Sequence, residues 1–254
     1  MKHPLLRRLS FLLAVCGLAL LPMVAAAYDL PDEEQITKDP TQLFACFEYN
    51  LEQVQDYTAT FIKYEVLDGK PYPEETLKVS FMRPHRVKLE WLDGESRGMW
   101  AIYDSQRDPD HFWALDVGWR AIIGVQRYGM HSKFTQFFHP NRFVVTDSDL
   151  ASLVCVIGHF CELAGSLGTL DTHYNGRVIE QGSGRESFWI HAFLYPEPDP
   201  RFMAREADVY LTVDDCMPVN VTLYGWEGQV IGRYIQRDLK LNIGLTTADF
   251  AIPE

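Results

Sequence analysis

At Tyr57 the spacing of apolar residues drops from three or four to two, and that change governs what this chain can build. Upstream, Leu43, Phe44, Phe47, Leu51 and Val54 make one apolar stripe of a helix. Asp39 stands as its N-cap and Pro40 at its first position, and the helix is expected to end near Asp56. Downstream, Thr58 to Val66 is rich in β-branched and aromatic residues and runs into the turn signal Asp68-Gly69. Leu77, Val79 and Phe81 alternate through Thr76 to Met82. Arg83-Pro84 interrupts, and Val87, Leu89 and Trp91 resume the alternation before Asp93-Gly94. Gly98 to Tyr103 and His111 to Val117 read as further strands of an antiparallel meander, one face wet and one apolar.

Gln126 to Phe138 has aromatics at mixed spacing and shows no period. Asp147 or Ser148 then caps a second helix to about Ala164, with Leu150, Leu153, Val154, Ile157, Phe160 and Cys161 on its apolar side. Strands return at Arg177 to Glu180, Ser187 to Tyr195, Ala207 to Val213, Val219 to Tyr224 and Gln229 to Leu239. Short turns between them point to hairpins of one continuing antiparallel sheet and not to a parallel α/β sheet. The expected class is therefore α+β, with about ten strands in a large curved sheet, an open half-barrel whose concave face is covered by helices. Such a shape encloses either a packed core or an apolar cavity.

The first residues read as an export signal. Lys2, Arg7 and Arg8 precede an uncharged run from Leu9 to Leu21, Pro22 breaks it, and Val24-Ala25-Ala26-Ala27 offers a small-residue cleavage site. The expected division is a signal peptide at 1–27, a flexible acidic leader at 28–38, and one domain at 39–254. Cleavage leaves 20 basic against 35 acidic residues, a net charge of −15. That charge disfavours nucleic acid and anionic surfaces as partners. The remaining chain has no stretch long enough to span a bilayer and is expected to be monomeric and periplasmic. Cys46, Cys155, Cys161 and Cys216 stay with the mature chain. Two disulfides drawn from three pairings, or four buried thiols, both fit. Cys155 and Cys161 fall on different faces of the second helix and are not expected to join each other.

No catalytic pattern emerges. Ser183 lies in Gly182-Ser183-Gly184, a turn before a strand, where a nucleophile elbow needs a strand-to-helix turn. His85, His111, His131, His139, His159, His173 and His191 are scattered, and His159 with Glu162 is an ordinary helix edge and no zinc pair. Asp108-Pro109-Asp110 and Asp214-Asp215 sit in turns, where aspartate is favoured for backbone reasons. No enzyme activity, cofactor or metal is expected. Aromatic side chains carry the remaining signal. Phe61, Phe81, Trp91, Trp100, Tyr103 and Phe188 lie in or beside strands, and Phe188 to Tyr195 is apolar on both faces. A strand of that kind is covered twice or borders a cavity.

The order of these elements resembles the periplasmic outer-membrane lipoprotein carrier superfamily, the LolA/LolB-like proteins. The resemblance runs through a signal peptide, an amphipathic helix, Tyr57-Thr58-Ala59-Thr60-Phe61, a strand ending at Arg83-Pro84, one ending at Trp91, and one holding Trp100 and Tyr103. The end, Asp238 to Leu245 with Asp249-Phe250, is similar to an uncharacterised bacterial branch of that superfamily. The resemblance implies a half-barrel with a helical lid over an apolar cavity that takes acyl chains. It assigns Arg83 as the latch of that lid. Leu89 stands where the family has an aromatic, because two extra residues separate Pro84 from Trp91. On this basis the expected ligand is a lipid or acyl chain, lined by Phe61, Phe81, Leu89, Trp91, Trp100, Tyr103, Phe188 and Ile190. The alternative is an envelope module with a packed interior that engages a protein partner.

Overall fold

The computed structural model describes residues 30–133, 135, 139–148 and 150–253. The expected signal at 1–27 lies outside the described residues. Three α-helices are described, α1 (Glu33–Lys38), α2 (Gln42–Glu52) and α3 (Leu150–Leu167). The strands are β1 (Asp56–Leu67), β2 (Lys70–Pro71), β3 (Glu75–Met82), β4 (Arg86–Trp91), β5 (Trp100–Asp104) and β6 (His111–Leu115). They continue as β7 (Gln126–Gly129), β8 (Asp171–Ile179), β9 (Glu186–Phe193), β10 (Glu206–Thr212), β11 (Pro218–Tyr224) and β12 (Val230–Leu241).

All pair antiparallel in one open sheet of order β7-β6-β5-β4-β3-β1-β12-β11-β10-β9-β8, with β2 on the end of β1. Two meanders, one from each half of the chain, are thus joined where β1 pairs with β12. Period-two alternation sorts the side chains. Tyr57, Ala59 and Phe61 of β1 lie in register with Phe81, Val79 and Leu77 of β3, and β4 adds Val87, Leu89 and Trp91 on the same face. Most of these belong to one buried core with Phe188, Ile190, Val209, Leu211 and Val221 from the other meander. The α+β half-barrel expected from the pattern is the fold observed.

Helix α3 buries Leu150, Val154, Ile157, Phe160, Cys161 and Ala164, at three- and four-residue steps, and packs against β11. Phe160 meets Phe202 at 5.8 Å, and Phe202 stacks on Tyr195. Its N-terminal turn is fixed from the sheet, where the Tyr57 hydroxyl accepts the Leu150 N–H at 2.8 Å. No described helix is long and apolar enough to cross a membrane.

Helix α2 buries Leu43, Cys46 and Phe47. It starts at Gln42 and not at Pro40, because Asp39 closes α1 and turns its carboxylate onto the Thr41 N–H at 3.1 Å. A disulfide joins Cys46 to Cys216 in the turn after β10, and Asn50 adds a bond to the Asp215 carbonyl at 2.9 Å. The leader expectation needs a correction. Within it, Asp32 and Gln35 form a reciprocal cap on α1, Ile36 is wholly buried, and Glu33 pairs with Arg177 of β8 at 3.0 Å. One apolar anchor docked on an edge strand holds six residues that carry no helical period of their own.

The other two cysteines are unlike each other. Cys155 is exposed, whereas Cys161 is buried, and burial, with a smaller push from Glu162, raises its thiol to about 11. Since the thiolate is the reactive form, iodoacetamide at pH 7.5 should label Cys155 in the native protein. Cys161 should react only after denaturant is added, at least tenfold faster than in its absence, as read by peptide mass spectrometry.

Candidate functional site

Beneath the first meander the inner face is not filled. A cavity of about 310 Å³ lies there, floored by Phe61, Leu77, Leu89, Trp91, Met99 and Ala101. Phe112, Ala114, Tyr128 and Met130 continue the apolar wall toward the β7 edge. The cover comes from the segment between β7 and α3, with Phe143, Val144 and Val145 over the floor. Phe143 meets the ring of Tyr234 edge-on at 5.5 Å, and Tyr234 stacks at 6.2 Å on Phe61.

One end of the cavity is polar. The alternation that places Phe61 inward also places Lys63 and Glu65 inward, beside Tyr234 of β12. Glu65 is 3% exposed and accepts the Tyr234 hydroxyl at 2.8 Å and the Arg142 backbone N–H at 3.2 Å. Burial, and then the Glu65 carboxylate, push the Tyr234 phenol far above its ordinary range, so it remains a donor. Lys63 pairs with Glu75 at 2.8 Å and also donates to Asn141. Glu75 in turn receives the Trp91 indole N–H at 3.0 Å. The Arg142 guanidinium donates to the carbonyls of Val66 and Ile231 at 2.9 and 3.1 Å, pinning the cover to β1 and β12.

The opposite side carries Asp116, which accepts from Arg120 and, at 2.9 Å, from His139. Burial works against its ionisation, but those hydrogen bonds outweigh it and hold the carboxyl below its ordinary value. Lys63 and Asp116 are thus ion-paired at the two ends of the cavity, Arg142 is held by backbone carbonyls, and the rest of the lining is chiefly aromatic and aliphatic. Among the described residues no three potential metal ligands cluster.

Of the eight residues expected to line a ligand site, Phe61, Leu89, Trp91 and Trp100 border this cavity. Trp100 does so from its margin, since it shares the register of Glu90 and Leu115 on the other face. Phe81 and Tyr103 are elsewhere. Phe81 stacks on Tyr57 at 5.2 Å, Tyr103 meets His85 edge-on at 5.3 Å, and His85 reaches the Thr146 carbonyl, so this group forms a wall near the start of α3. Phe188 and Ile190 are each 1% exposed in the core of the second meander and do not border this cavity. Cavity and packed core thus coexist, one per meander.

Arg83 is exposed at the end of β3 and donates to the backbone carbonyls of Val54 at 2.6 Å and Leu51 at 3.0 Å. It holds the C-terminus of α2, but no α2 residue borders the cavity, whose described cover is the stretch from His139 to Ser148. Arg83→Leu is expected to cost about 1–2 kcal/mol, a typical value for two solvent-accessible bonds. The affinity for a cavity ligand should change less than twofold. Urea titration and a binding isotherm on the same sample check both.

Sequence reasoning passed over Lys63, Glu65 and Tyr234. A signal existed for the first two, since charged residues continue the inward alternation of Tyr57, Ala59 and Phe61. For Arg142, Asp116 and His139 there was none, because their partners are distant in the chain. A second polar group, on the outer face, surrounds Asp208 with Trp189, His191 and Tyr224 at 2.7–2.9 Å. It faces away from the cavity, being in register with Thr222 and not with the inward Val209 and Val221.

A family model described as a protein of unknown function, DUF1571, matches residues 54–253. The chain belongs to the DUF1571 family. The match takes in every strand of the half-barrel and begins just after α2, so Cys216 lies inside it and Cys46 outside. No curated protein matches the chain. Solved structures similar to this DUF1571 protein include an uncharacterised conserved protein from Thermus thermophilus, 12% identical, TM-score 0.49, covering 85% of this chain and 94% of that one. Another is the Pseudomonas aeruginosa MucA/MucB complex, 13% identical, TM-score 0.47, covering 85% and 61%. A LolA superfamily protein from Nitrosomonas europaea is 8% identical, TM-score 0.32, covering 83% and 97%. Each is a likeness of architecture between distant sequences.

Proposed function

We propose that this DUF1571 protein is a non-catalytic periplasmic binder of an apolar ligand, a lipid or single acyl chain, held in the cavity of the first meander. The observation that carries the reading is the unfilled inner face itself. A mainly apolar lining with polar ends surrounds about 310 Å³, while Phe188, Ile190, Val209 and Leu211 in the other half of the same sheet are buried in the core. Native interiors do not leave voids of that size without cause. At ~30 Å³ for a water-sized group, the space takes about ten such groups. That is room for at least one chain of about ten carbons with the cover in place. Specificity for the tail comes from shape and area, and at the polar end Lys63 is held by Glu75 while the Arg142 guanidinium is held by the Val66 and Ile231 carbonyls.

Two measurements test this. Organic extraction of protein purified from its native envelope, followed by lipid mass spectrometry, should recover a stoichiometric apolar molecule. Titration with a fluorescent acyl probe should saturate, with decanoyl-length chains competing better than octadecanoyl ones. Protein that carries no lipid and does not bind the probe sinks the proposal.

A further inference from the structure

The turn between β6 and β7, Gly118–Ile123, shows three large apolar side chains to solvent: Trp119 is 68% exposed, Ile122 87% and Ile123 53%. Isolated exposed apolar residues need no explanation. Elsewhere among the described residues they are isolated along the chain, at Leu30, Leu92, Leu167, Ile179, Val230 and Ile243. Here three fall within five positions on one short 3-10 turn. The turn is bracketed by Gly118 and Gly124 at φ +63° and +68°, values that let the backbone reverse sharply on either side.

The turn is also prepared for a dry environment. Two of its last carbonyls are occupied, Ile123 by the Gln126 side-chain amide at 2.6 Å and Ala121 by the Gly124 N–H at 3.0 Å, and the same amide reaches the Val125 carbonyl just beyond the turn at 3.1 Å. Its single charge, Arg120, is neutralised by Asp116, which also borders the cavity. We propose that this turn is a membrane-docking element, inserting Trp119, Ile122 and Ile123 into the interfacial layer of a zwitterionic bilayer beside the cavity's Asp116 side.

Three features select a bilayer. A stable protein interface needs about 800 Å² per partner, and one tryptophan, of the kind that buries about 150–250 Å², with two smaller isoleucines, all three already partly covered, does not reach it. A bilayer accepts a few protruding apolar groups without a matching surface, and tryptophan is favoured at its boundary. An acidic chain of net charge −12 whose tip arginine is already paired has nothing to offer anionic lipid heads, so the attraction is apolar. Only its purpose, loading or unloading the cavity at a membrane, rests on the proposed ligand binding.

The test is co-sedimentation with phosphatidylcholine vesicles, every sample carrying the same N-terminus by intact mass. Ile122→Asp with Ile123→Asp should weaken partition at least tenfold. Ile179→Asp, a control on the opposite edge strand with 64% exposure, should leave it within twofold, and 0.5 M salt should not reduce binding. Acyl-probe affinity in vesicle-free solution should be unchanged in all three proteins, which separates this proposal from the cavity reading. Equal sedimentation of the doubly substituted and parent proteins overturns it. Binding confined to anionic vesicles and lost in salt overturns it also, as does a parent dimer that the double substitution turns into monomer.

Discussion

Replacing Cys46 and Cys216 together by alanine is expected to lower the thermal midpoint by about 10 °C or more. The bond closes a loop of 170 residues. On the chain-entropy account a loop of 100 residues is worth about 4.7 kcal/mol, and the value grows slowly with length. At roughly 2–4 °C per kcal/mol for a chain of this size, even part of that sum is a large shift. The bond also has a local consequence. Helix α2 lies ahead of the sheet in the chain and touches it through Leu43, Cys46 and Phe47, with Asn50 and Arg83 adding backbone contacts at its end. Without the covalent link those contacts must hold it alone. Circular dichroism melting with and without reductant measures the effect. A shift below 2 °C in both the alanine variant and the reduced protein would mean that the unlinked contacts already secure α2.

Ala114→Phe should abolish high-affinity probe binding, weakening it by tenfold or more, while leaving the melting midpoint within about 2 °C. Ala101 and Ala114 pair across β5 and β6, and both border the cavity. A ring added there stands off the inner face into open space and displaces the ligand's volume. In a tightly packed core the same enlargement costs typically 1–3 kcal/mol. A preserved midpoint is therefore itself a sign that the space was empty. The matched experiment is Phe188→Leu in the packed half, which should cost about 1–2 kcal/mol while probe affinity stays within twofold. If Ala114→Phe destabilises and Phe188→Leu weakens binding, the assignment of cavity and core to the two meanders is reversed.

The strand pattern was readable because the inner face of a half-barrel must be apolar and its outer face wet. Leu77, Val79 and Phe81 carry that alternation in their identities, and so do Val87, Leu89 and Trp91. Edge elements were less legible. Strand β7 is four residues long, and α1 has one buried residue, so neither shows a period over its own length. For the candidate site, aromatic content pointed to Phe61, Trp91 and Trp100 and equally to Phe81, Tyr103 and Phe188. A buried aromatic has the same identity whether it faces a void or a neighbour. Lys63 and Glu65 were hidden for a related reason, since a charge on an inward position makes sense only when its partner is known. Tyr234 is 169 positions from Glu65.

By itself the sequence determined an antiparallel α+β half-barrel, its two apolar helices and the strand faces, because each of these follows from local periodicity and turn chemistry. Tertiary structure alone decided that β1 closes on β12, that Cys46 meets Cys216 out of the possible pairings, and that the cavity lies under the first meander. Those outcomes depend on contacts between residues far apart in the chain, whose free energies no local pattern encodes.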